Sequence, residues 1–135
     1  MKRAIIASAA ALMSSGALAD NLANLDRLLC ATGQIVLCVE EDECYPVLPW
    51  DVGVPDFVVV DLKGKMLSTT KASEENRTTA IASVNRTNGL IYLQGSELGR
   101  VFSVVIDEAT GRMTAAVARD GATVSVFGAC TSADL

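Results

Sequence analysis

The residues best equipped to do chemistry in this chain are its four cysteines, Cys30, Cys38, Cys44 and Cys130. Redox or nucleophilic work would need a close C-x-x-C pair or a basic partner such as histidine. The chain offers neither: Cys38 and Cys44 are the closest pair, with five residues between them, and there is no histidine. That absence also excludes a Ser-His-Asp triad and leaves zinc poorly served. An even number of cysteines in a small exported domain reads instead as two disulfides. Of the three possible connectivities, Cys38–Cys44 with Cys30–Cys130 is favoured. Residues 36–39 and 44–47 look like two strand arms around an acidic tip, so Cys38 and Cys44 would face each other across a hairpin. The other bridge would tie the beginning of the domain to its end.

Other candidates are weaker. The tip Glu40, Glu41, Asp42 and Glu43 gathers carboxylates, as a calcium site does. It lacks the glycine and the alternating spacing of an ion-wrapping loop, and a solvated hairpin end is the favoured reading. Trp50, in a loop bounded by Pro46, Pro49 and Pro55, is either a partner contact or a plug for an open barrel end; the plug is preferred. Asn76-Arg77-Thr78 and Asn85-Arg86-Thr87 match the glycan acceptor pattern, but the alanine-rich N-terminus looks bacterial and chance is the better explanation. Carboxylate pairs occur among sixteen acidic residues without forming a motif, and no glycine-rich phosphate loop is present. No catalytic residue, metal ligand or cofactor is expected.

These residues sit in a chain built for export. Lys2 and Arg3 precede an apolar run from Ala4 to Met13, and Ala17-Leu18-Ala19 is a small-x-small cleavage site before Asp20. Positive start, short apolar stretch and small residues make residues 1–19 a signal peptide. Ten apolar residues fall well short of the roughly 20 that span a bilayer. Residues 20–135 form a single domain. The first 19 residues hold two of the eleven basic residues and none of the sixteen acidic ones, which leaves nine against sixteen, a net charge of −7. Such a chain has no electrostatic footprint for nucleic acid and should be repelled by anionic membranes.

The elements that must position these residues are strands. Residues 56–62, 66–70, 78–84, 90–94, 101–106, 113–118 and 123–127 are apolar or β-branched runs, separated by turn signals every 8–12 residues. Asn88-Gly89, Gly111 and Asp120-Gly121 are hairpin turns. The fold expected is all-β, an antiparallel meander closing into an up-and-down barrel of seven to eight strands, with a two-sheet β-sandwich as the alternative. Leucines at 22, 25, 28 and 29 suggest a short helix over residues 20–29. In the barrel, Phe102, Val104 and Ile106 share one face and should fill the interior, leaving no ligand-sized void.

The cysteine spacing, Pro55-Asp56-Phe57 leading to Val60-Asp61, Leu93-Gln94-Gly95, Val105-Ile106-Asp107 and Phe127-Gly128-Ala129-Cys130-Thr131 give the chain a resemblance. It resembles a group of small, largely uncharacterised exported proteobacterial β proteins, which implies a periplasmic β domain. In export, size and a cysteine near each end it is also similar to the periplasmic barrels that inhibit lysozyme, though their Ser-Gly-x-x-Tyr loop motif is absent. The function expected is binding rather than catalysis. The first reading is contact with another protein, in the manner of an inhibitor, through Trp50, the acidic tip or an exposed apolar face. The alternative is a carrier of a small apolar ligand inside the barrel.

Overall fold

The computed structural model describes residues 21–133; the expected signal peptide and its cleavage site lie outside them. Ten antiparallel strands form one curled half-barrel sheet: Arg27–Val39 (β1), Tyr45–Val47 (β2), Phe57–Asp61 (β3), Met66–Thr69 (β4), Thr78–Ala80 (β5), Ser83–Thr87 (β6), Leu90–Glu97 (β7), Arg100–Asp107 (β8), Arg112–Arg119 (β9) and Ala122–Ser132 (β10). The order is β5-β4-β3-β1-β10-β9-β8-β7-β6, with β2 beside the end of β1. The barrel-like expectation therefore holds over the sandwich, with ten strands where seven to eight were expected. From β6 to β10 the chain is a plain meander. The N-terminal strand then inserts between β10 and β3, which a pure meander would not do.

The two outer strands, β5 and β6, are consecutive in the chain. Residues 78–87 run past both neighbours, and at Ile81–Ala82 the pairing changes partner. Ile81 N–H donates to Lys65 O on the β4 side (2.9 Å), and Ala82 N–H donates to Gln94 O on the β7 side (2.8 Å). The sheet thus curls until its two ends share one stretch of backbone, which limits the edge left open to other chains.

β1 carries the bend. Thr32 pairs with Gly128 and Gln34 with Phe127, so Gly33 is an extra residue, a β-bulge. The bulge shifts the inward parity of the strand by one. Leu28 and Cys30 face inward before it, and Ile35 and Leu37 face inward after it. It also separates two partners on the same side: residues 27–31 pair with β3, and residues 35–37 with β2.

The expected N-terminal helix is absent; residues 21–26 are turn and β1 begins at Arg27. Leu28 is buried with the two-residue period of a strand, and Leu22 is buried because the turn folds across one end of the barrel. Arg86 fastens that turn, donating to Leu25 O and Leu22 O (both 2.8 Å) and to Ala23 O (3.0 Å), beside Glu108 at 3.6 Å. Under it, Leu22, Leu28, Leu62, Ile81, Ile91 and Ile106 close the core at this end.

Candidate functional site

Both disulfides form as expected. Cys30 lies directly opposite Cys130 in the β1–β10 register and is bonded to it. Cys38 is bonded to Cys44 one step beyond the Leu37–Tyr45 pair of the hairpin. No free cysteine remains among the described residues. The bridges are structural staples, and two of them fit an oxidising compartment.

The acidic tip stands exposed at the open end of the barrel, where Glu40 N–H donates to Gly121 O (2.8 Å). No cluster of metal-ligating side chains is found among the described residues. Trp50 does not plug the barrel. Its side chain is 70% exposed, on a shallow outer cleft of about 460 Å³ shared with Pro49, Pro55, Phe57 and Ala72. The residues just after it, Val52 to Pro55, border the barrel mouth, and Gly53 to Pro55 line the outer cleft as well.

The interior departs furthest from expectation. Ile106 is buried in the closed end, but Phe102 and Val104 line a cavity of about 320 Å³ that opens at the other end. Leu37, Val58, Leu93, Ala115, Val124 and Val126 form more of its wall. The space exists because the inward positions toward the mouth are small. Along β9 they are Ala115 and Val117, and along β10 Ala122 and Val124. Gly95, opposite Phe102 in the β7–β8 register, leaves room for the phenyl ring to lie back on the sheet. A Cβ at that position would collide with the ring.

The mouth is polar and held in shape. The loop over residues 48–56 crosses it, tied down by Thr32, whose hydroxyl donates to Pro55 O (2.8 Å), and by Arg77 Nη1 donating to Gly53 O (2.8 Å). Arg77 also makes a two-pronged pair with Glu97, Nε to Oε1 at 3.0 Å and Nη2 to Oε2 at 2.7 Å. That hydrogen-bonded pairing holds the Glu97 carboxyl below its ordinary range, with smaller help from the Thr79 hydroxyl, and raises the Arg77 guanidinium. Arg100, Arg119 and Asp51 complete the charged lining.

Sequence reasoning missed Arg77 and Arg86, although each is the middle residue of an Asn-Arg-Thr triplet it had singled out. The useful signal was the arginine. Each follows an exposed asparagine and is itself half-buried, one pinning the mouth loop and the other the closing turn. No helix among the described residues is long and apolar enough to cross a membrane. Compared with known proteins, the chain matches no family model, no curated protein and no solved structure.

Proposed function

We propose that this protein binds a small, largely apolar ligand inside its half-barrel, as a carrier or sequestering protein. The observation that supports this reading is the open cavity of about 320 Å³ with an apolar wall, within the size range of small-molecule sites. A chain this short has little material with which to build a void, and unfilled apolar space sacrifices packing. The bulge at Gly33, the small inward residues of β9 and β10, and Gly95 behind Phe102 all act to keep that space open.

The reading through protein contact keeps one supporting observation. Val101, Val105 and Phe127 are exposed on the outer face of the sheet. Val105 shares one cross-strand row with Tyr92, Thr114 and Phe127, but exposed apolar residues are common on ordinary surfaces, so the cavity carries more weight. Export to the periplasm fits both readings and is supported by the N-terminal pattern and the two disulfides. Protein recovered from its own cells should begin at Asp20 by mass measurement; an intact Met1 on folded, oxidised protein would overturn export.

The cavity reading predicts saturable, one-to-one enhancement of N-phenyl-1-naphthylamine fluorescence, a neutral apolar probe. Ala115→Phe places a ring in the void and should weaken that binding at least tenfold. The fold should survive, because the new side chain enters empty space rather than a packed core. Equal probe binding by Ala115→Phe, with its thermal unfolding unchanged, would place the probe outside the barrel.

A further inference from the structure

Resting on the cavity reading, we propose that the natural ligand is an amphiphile with an anionic head, its apolar part inside the barrel and its head at Arg100 and Arg119. Register brings these residues together. Glu97 lies opposite Arg100 across β7–β8, and Arg119 lies opposite Ala122 across β9–β10. Val101 pairs with Ala118, so Arg100 and Arg119 occupy the next opposed positions along the β8–β9 ladder. Glu97, Arg100, Arg119 and Ala122 thus form one row across four strands, and all four line the cavity toward its mouth.

Two like charges facing each other across a ladder are unfavourable without a counter-charge. Within the cavity lining both carboxylates already have hydrogen-bond partners, and Glu97 also acts on Arg100 through space. The acidic tip Glu40–Glu43 stands outside the lining at the same end. Both oxygens of Glu97 are taken by Arg77. Asp51, the other carboxylate of the lining, accepts the Leu48 N–H (3.1 Å). Among the described residues neither Arg100 nor Arg119 forms an ion pair. The one hydrogen bond found for Arg100 is a long 3.5 Å contact from Nη1 to Val52 O, which leaves most of its donor fork unused. In a chain with a net charge of −5 the cavity lining thus holds three arginines against two carboxylates, with the acidic tip outside it. A carboxylate or similar anion emerging from the cavity would meet two guanidinium groups at the edge of an apolar, low-dielectric wall, where such pairing is strongest.

The cavity sets the size of the apolar part. At roughly 30 Å³ for a group the size of a water molecule, a void of about 320 Å³ takes about ten such groups. A single alkyl chain of that order, or one or two fused rings, fits; a two-chain lipid does not.

The test uses three probes with one tail and different heads: octanoate, 1-octanol and octylamine. Their binding to the oxidised protein is measured by calorimetry at low and at physiological salt. Octanoate should bind at least tenfold more tightly than 1-octanol, and octylamine more weakly than both. In the Arg100→Gln/Arg119→Gln double variant, octanoate should fall to the level of 1-octanol while 1-octanol is unchanged. Equal binding of octanoate and 1-octanol by the unmodified protein would overturn the anionic head and leave the cavity reading standing. An octanoate preference that survives the double variant would overturn the assignment to these arginines. Failure of all three probes, together with N-phenyl-1-naphthylamine, would overturn the cavity reading itself.

Discussion

Replacing Cys30 and Cys130 by alanine should lower the stability of the folded protein by about 4 kcal/mol, roughly twice the loss from removing the Cys38–Cys44 bridge. The two bridges differ chiefly in the loop each closes: 100 residues of sequence separation against 6. In the chain-entropy model the long loop restricts the unfolded state more, by about 4.7 against about 2 kcal/mol. Location adds to the difference. Cys30 and Cys130 are buried on the inner face and join the first and last strands. Cys38 and Cys44 only reinforce a hairpin at the exposed acidic tip. Urea unfolding of the two double variants checks this. Equal losses, or a larger loss at the hairpin, would show that the long bridge does not act through the unfolded chain. A domain with a typical total stability of about 5–15 kcal/mol should, without the long bridge, be close to unfolding on warming.

Gly111→Ala should cost about 3 kcal/mol, and Gly89→Ala only about 1 kcal/mol. Both glycines turn a hairpin with nearly the same left-handed backbone, φ +75° at Gly111 and +76° at Gly89. The conformational penalty of a side chain is therefore shared. What differs is space. A Cβ at Gly89 meets nothing within 4 Å, whereas one at Gly111 collides with the backbone carbonyl of Cys130. That carbonyl cannot give way cheaply, since Gly111 O also accepts the Cys130 N–H at 2.7 Å and the residue is locked by its disulfide. Denaturant midpoints of the two variants measure the contrast. Losses of equal size would mean that the turn conformation alone decides both sites.

The parts of this structure that rest on local chemistry could be read from the residues in order. Asn88 and Gly89 both adopt positive φ, and Gly121 turns the next tight hairpin, because few residues tolerate that backbone. The two-residue alternation of β8 put Phe102, Val104 and Ile106 on one face, as they are. The cysteine pairs followed from hairpin geometry and from the expectation that a second bridge would join the ends.

What could not be read depends on parity and on neighbours far along the chain. The leucines at 22, 25, 28 and 29 match a helical spacing equally well, and only pairing with β3 and β10 makes Arg27–Val39 a strand. The stretch from Thr78 to Val84 reads as one strand, while its change of partner at Ile81–Ala82 is set by Lys65 and Gln94. The cavity was missed for a related reason. Alternation says which residues face inward but not whether their volumes fill the space they enclose. The trace it left was the run of small inward residues toward the mouth, Ala115, Val117, Ala122 and Val124. The arginine row was missed because Arg100 and Arg119 flank turns, where charged residues ordinarily belong to solvent, and only the register sets them side by side.

The central claim is that a ligand sits inside the barrel, and methyl-resolved NMR of the oxidised protein with bound octanoate locates it most directly. Intermolecular contacts from the octyl chain to the methyl groups of Leu93, Val104, Ala115 and Val126 are the predicted result, with outer-face Val101 and Val105 unaffected. Contacts confined to Val101 and Val105, or to the cleft beside Trp50 and Phe57, would contradict it and return the protein to a surface-binding role.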